Sequence, residues 1–224
     1  MNIASWPQQE RPQEKLLSQG PQSLSDAELL AIVLHSGKKG LNAIDLARQL
    51  LVEFNGLRRL LVAPPQDLLS VSGLGPSKYA RLAVVKELGN RCRLESLKEK
   101  DVLNGASRTK EYLKAKYQDR DSEVFCCLFL DSQHQLIRLE ELFTGTIDGA
   151  AVYPREVVKK CLEVGSAAVI FAHNHPSGVA EPSQADIAIT AKLKAALSTI
   201  DVRVLDHLII GDPNVTSLAE RGLM

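Results

Sequence analysis

His173 and His175 stand one residue apart where the apolar run AVIFAH gives way to NHPSGVAEPSQAD, and Asp186 closes that stretch. In extended backbone the side chains at i and i+2 project to the same face, so the two imidazoles reach toward one point at the end of a strand. Pro176 and Gly178 then turn the chain away, and EPSQAD opens a helix whose first turn can bring Asp186 back beside them. Two imidazoles and one carboxylate, with a fourth position left for water, are the ligand set expected of a catalytic zinc site. The same residues have a plainer use as well. Ser183-x-x-Asp186 fits a capping box, in which the serine caps the helix and the aspartate returns a hydrogen bond at the positive end of the dipole.

A strand must deliver the histidines and a helix the aspartate, and the flanking sequence supplies both. EVFCCLFLD and LIRLEELF read as strands around the turn SQHQ, YPREVVKKCLEVG as a helix, AAVIFAH as a buried strand, SQADIAITAKLKAALSTI as a helix and RVLDHLIIG as another strand. Strands alternating with helices predict an α/β domain over residues 108–224.

The preceding residues have a different texture. After a loose tail over 1–22, SLSDAELLAIVLHSG predicts a helix capped by Ser25 with Glu28 three positions on. NAIDLARQLLVEF opens a second helix after the glycines of SGKKG, and APPQDLLSV, SGLG and PSKYARLAVVKELGNRC repeat the plan. Two helix, glycine turn, helix units in tandem predict a small all-α domain over 23–95, and the charged stretch at 96–107 reads as the linker.

At 224 residues, 45% hydrophobic and 24% charged, the chain has the composition of an ordinary globular protein, which excludes disordered, collagenous and coiled-coil classes. No apolar run approaches the ~20 residues of a membrane span and the N-terminus carries no cleavable signal pattern, so a cytoplasmic protein with no membrane partner is expected. Cys92, Cys126, Cys127 and Cys161 show no CxxC spacing and are read as reduced and mostly buried. Net charge is zero, but residues 1–100 hold 14 basic against 10 acidic groups and the remainder 13 against 17. That mild asymmetry would suit a basic N-terminal module touching phosphates, and ordinary scatter explains it almost as well.

HNHPSGVAEPSQAD also carries the H-x-H, seven residues, S-x-x-D pattern of the JAMM metalloprotease motif in Jab1/MPN domains, and AHNHPSG with DHLIIG resembles the bacterial RadC-like proteins. The resemblance covers about residues 102–224, and the helical segment before it is similar to that family's N-terminal region. It implies an MPN (JAB1/cytidine-deaminase-like) α/β fold behind a small helix-hairpin-helix domain. It further implies one zinc per chain held by His173, His175 and Asp186, with Ser183 helping to bind water or an oxyanion. The family takes its general base from a glutamate on an earlier strand. Glu123, which heads EVFCCLFLD, is the choice over Glu140 and Glu141 beside a turn and the helical Glu156. The expected chemistry is metal-assisted hydrolysis of a peptide or isopeptide bond.

The remaining polar residues are weaker. His207 could stand behind the metal site, but a histidine satisfied within its strand is the favoured reading; His134 and His35 are assigned no chemistry. LLSVSGLGPSKYARL resembles a helix-hairpin-helix motif, in which Gly73 and Gly75 would expose backbone N–H groups to a DNA phosphate and Lys78 and Arg81 would add charge. The glycines can equally just join two helices, or the module can dock a protein. The rival to the hydrolase is therefore a DNA-binding repair or recombination accessory protein whose metal is structural or acts on nucleic acid. A pure MPN scaffold is the third reading, and the intact ligand set argues against it.

Overall fold

A computed structural model describes residues 3–98, 106–145 and 152–224. The chain divides into two compact units, Met1–Gly89 and Asn90–Met224.

The first unit holds α1 (Pro12–Gln19), α2 (Asp26–Leu34), α3 (Ala43–Glu53), α4 (Leu57–Val62), α5 (Pro65–Ser70) and the first part of α6 (Pro76–Lys98). Ser25 and Glu28 form the expected capping box at the start of α2, and Asn42 caps α3 by accepting from the Asp45 amide. Leu30, Leu34, Ile44, Leu50, Leu60, Leu74 and Leu82 share one core. The expected loose tail over 1–22 is, across its described residues 3–22, an ordered part of this unit. Pro12 begins α1, Lys15 pairs with Glu28 at 3.0 Å, and Ile3 and Trp6 pack on the core, so contacts distant in sequence hold a segment that looks featureless locally.

The two glycine turns interlock. Lys38 and Leu41 exchange backbone hydrogen bonds in the first turn, while the Lys38 ammonium donates to the Ser72 carbonyl beside the second at 3.1 Å. Gly73 adopts φ +94°, and a Cβ there would lie 2.6 Å from the Lys38 side chain, so glycine answers both a backbone and a packing demand. The Lys78 ammonium donates to the carbonyls of Gly37 and Gly73, both at 2.8 Å. Two of the ammonium's three donors thus turn inward and join the turns. Arg81 makes a long contact, 3.5 Å, to the Leu34 carbonyl.

The second unit is a five-stranded mixed sheet in the order β2-β1-β3-β4-β5, with β1 (Val124–Leu130), β2 (Leu136–Thr144), β3 (Ala168–Asn174), β4 (Arg203–Ile210) and β5 (Val215–Ser217). Only the β3–β4 pair is parallel, joined through a crossover helix. Along β1 and β3 every residue is buried, as uninterrupted apolar runs require when helices cover both faces. Cys126, Leu128, Ile170, Leu208 and Ile210 face Leu113 and Tyr117 of α7 (Ala106–Tyr117). Phe125, Phe129 and Phe171 face Val157 and Cys161 of α8 (Pro154–Val164) and Leu193 and Leu197 of α9 (Gln184–Ser198).

Helix α7 and strand β5 carry too little apolar periodicity to be predicted. The expected linker at 96–107 is also revised where it is described. Helix α6 continues to Lys98 because Leu94 and Leu97, three positions apart, place a stripe on the second unit's core, and α7 already begins at Ala106. Residues 99–105 of that expectation lie outside the described residues. Cys126, Cys127 and Cys161 are buried and Cys92 is exposed; burial pushes the Cys126 thiol up to about 12, so it stays protonated. No helix among the described residues is long and apolar enough to cross a membrane.

Removing the ammonium in Lys78→Ala leaves two turn carbonyls without their charged donor. The change is expected to cost about 1–3 kcal/mol. Trp6, the single tryptophan, lies in this unit, so its fluorescence during urea unfolding should show a lower midpoint.

Candidate metal centre

Strand β3 carries His173 to the end of the sheet, and His175 extends the ladder by donating its backbone N–H to the Ile210 carbonyl at 2.9 Å. Both imidazoles therefore leave the same face. Across the loop, Ser183 caps α9: its backbone N–H and its hydroxyl both donate to Asp186 Oδ2 at 2.7 Å, while its hydroxyl oxygen accepts from the Asp186 amide at 3.2 Å. The capping reading of Ser183 is thus the observed local geometry, and it is also what aims the Asp186 carboxylate. Asp186 Oδ1 lies 3.1 Å from His173 Nε2 and Oδ2 lies 3.5 Å from His175 Nε2. The two Nε2 atoms are 3.0 Å apart, and one ligand atom from each residue falls within 4.8 Å of the others.

The orientation of each ring has a cause. His175 Nδ1 lies 2.7 Å from the Val179 carbonyl, which can only accept, so Nδ1 carries the proton and Nε2 presents a lone pair. His173 Nδ1 meets His207 Nε2 at 2.9 Å, and His207 Nδ1 meets Thr190 Oγ1 at 2.6 Å. His207 is fully buried between the edges of Phe125 and Phe171. It is therefore the histidine that sequence reading underweighted. The available signal was its place on the neighbouring strand with the parity that faces α9, and β3–β4 pairing sets it opposite Phe171.

The electrostatics follow from this crowding. Burial opposes ionisation of Asp186, but the adjacent His173 and His175 rings and the Ser183 hydroxyl outweigh it and hold the carboxyl well below the usual range. When His175 is protonated, its Nε2–H donates to Asp186, and that hydrogen bond raises the His175 pKa. Burial pushes His207 down to about 3, with the nearby His173 adding to the effect, so His207 is neutral. Imidazole nitrogens and a carboxylate facing one point repel unless protons or a cation lie between them. The donor set N, N, O fits a zinc-type cation, and His173, His175 and Asp186 would hold it.

Glu123 sits just before β1, half-buried. Phe125 pairs with His173 in the antiparallel register, so two residues back along β1 Glu123 comes opposite His175, where its charge is felt. The competing glutamates are engaged elsewhere: Glu140 with Arg138 at 2.7 Å, Glu141 with Lys116 and Arg120 at 3.4 Å, and Glu156 with Arg155 at 3.3 Å. Sequence reading passed over Asn174, the residue between the histidines. It points to the opposite face, is fully buried, accepts from the Val124 amide at 2.9 Å and donates to the Ser122 carbonyl at 3.1 Å. It thereby anchors the segment that carries Glu123.

The loop after His175 is pinned. Asp212 donates its amide to the Gly178 carbonyl at 2.8 Å, and a Cβ on Gly211 would lie 2.4 Å from that same oxygen. Gly73, Gly75, Lys78 and Arg81 belong to the first unit. His35 ends α2 there, and His134 sits in the β1–β2 turn, where it accepts from Arg203.

Asn174→Ala leaves the buried Val124 amide unpaired and should cost about 1–3 kcal/mol. Hydrogen exchange checks it: the Val124 amide should lose protection while amides in the middle of β4 keep theirs.

Residues 103–223 match the family described as the RadC-like JAB domain, and residues 3–80 match UPF0758 N-terminal. Among relatives, a UPF0758 protein of Marinomonas sp. (strain MWYL1) is 54% identical over 224 residues, and one of Marinobacter nauticus is 55% identical over 224, each covering 100% of both chains. A UPF0758 protein of Aeromonas hydrophila is 55% identical over 222 residues, 99% of both chains. With an MPN/JAB α/β domain behind a helical N-terminal region, and similarity along the whole chain, this protein belongs to the UPF0758 family and carries its RadC-like JAB domain.

Proposed function

We propose that this protein is a zinc-dependent hydrolase of the JAMM type that cleaves a peptide or isopeptide bond. The observation that carries the reading is the convergence of His173, His175 and Asp186, each fixed by its own hydrogen bonds, beside a carboxylate at the head of the adjacent strand. Zinc held there supplies Lewis acidity and lowers the pKa of water toward neutrality. Glu123, opposite His175, takes the proton from the attacking water and delivers it to the leaving amine. Ser183, exposed at the rim, turns its hydroxyl from Asp186 toward the carbonyl oxygen as negative charge develops there. Buried His207 and the hydrogen-bonded Asn174 keep the ring and the base segment in place during that exchange.

Full-length protein purified without chelators should carry about one zinc per chain, and His173→Ala/His175→Ala should carry none. Glu123→Gln should keep the zinc and lose about 10²–10⁴-fold in turnover of a fluorogenic peptide and isopeptide library. Retained turnover in that variant removes Glu123 as the base, and a metal-free wild type that takes up no added zinc removes the hydrolase.

The His175 shift gives a second check. Its raised pKa means that the protonated His175–Asp186 pair stabilises the metal-free fold below the ordinary histidine pKa, and that this stabilisation is lost as pH rises through the raised value. Zinc must displace the same proton. Affinity measured by chelator competition should therefore rise with pH across the histidine range, while Asp186, ionised well below it, contributes no slope there.

A further inference from the structure

We propose that Thr190 and His207 are positioning residues that lock His173 as its Nδ1–H tautomer and so present its Nε2 lone pair to the cation. The inference rests on the metal reading above and gives roles to two residues outside the ligand set.

The direction of each proton follows by elimination. The main-chain carbonyl of Asp186 can only accept, and Thr190 Oγ1 lies 2.5 Å from it, so the hydroxyl proton is between them. With its proton committed, the Thr190 oxygen can only accept from His207 Nδ1 at 2.6 Å. The His207 ring, fully buried against Phe125 and Phe171, then has a bare Nε2. That atom accepts from His173 Nδ1 at 2.9 Å, which leaves His173 Nε2 unprotonated and directed at Asp186 and His175. In the opposite polarity the Thr190 and Asp186 oxygens would face each other at 2.5 Å with no proton between them.

The relay also couples two ligands. Thr190 lies one helical turn beyond Asp186 on α9, so a single helix supplies the carboxylate through its first turn and orients the His173 imidazole through its second. A shift of α9 would move both donors together.

Zinc affinity of the full chain, measured by chelator competition, tests this in wild type, Thr190→Val and Thr190→Ser. Valine keeps the shape of the side chain but removes both proton and acceptor, and should weaken zinc binding about 10–100-fold; serine should restore it to near the wild-type value. A role confined to packing would reverse that order, since serine loses the methyl group that valine keeps. Wild-type affinity in Thr190→Val overturns the proposal. Should the valine variant fail to fold, nitrogen-15 NMR of zinc-free wild type, above the pH range in which histidines protonate, decides the matter. A protonated Nδ1 and a bare Nε2 on His207 are expected, and the reverse tautomer overturns the relay. Wild type that takes up no zinc overturns the metal reading instead, and the His207 tautomer then still decides whether the relay exists.

Discussion

Mutual repulsion among three electron-pair donors is the constraint around which the second unit is organised. His173 Nε2 lies 3.0 Å from His175 Nε2 and 3.1 Å from Asp186 Oδ1, a grouping that would spring apart on flexible side chains. Each donor is held by a different part of the backbone: His173 by a strand buried on both faces, His175 by the Val179 carbonyl, and Asp186 by the cap of α9. His175 is held apart from the other two, whereas Asp186 and the His173 ring, through Thr190 and His207, both depend on α9.

The period of two along a strand gives the H-N-H segment two faces. Residues 173 and 175 turn toward the site, and residue 174 turns to the opposite face, where its amide grips Ser122 and Val124. Ligand placement and placement of the candidate base thus come from three consecutive residues. The close approach of Gly178 and Gly211 acts on the same segment from the other side, because the loop that supplies the Val179 carbonyl can lie against the β4–β5 turn only where no Cβ intervenes.

Sequence periodicity reveals four of the five strands and helices α8 and α9, because β1 and β3 are continuous apolar runs and α8 and α9 follow turn signals. It reveals the site's nearest residues because i, i+2 spacing and a capping pattern are local. Asn174 and His207 escape it for the opposite reason: their roles depend on which strand lies beside which, and a hydrogen bond spanning 50 residues leaves no local mark. Residues 3–22 escape for a related one, since the Lys15–Glu28 pair and the packing of Trp6 give order to a stretch without periodicity.

Lys78 and the metal centre solve one electrostatic problem by different means. In the first unit two carbonyl groups from separate glycine turns converge, and the chain's own ammonium sits between them at 2.8 Å from each. In the second unit a comparable convergence of N, N and O has no such internal partner. Among the described residues, Asp186 is paired only with the two histidines, and no lysine or arginine reaches it. A lysine stands where the carbonyls converge, whereas no lysine or arginine among the described residues pairs with the tighter cluster of N, N and O donors. This difference between the two units supports the metal reading independently of the histidine spacing that first raised it.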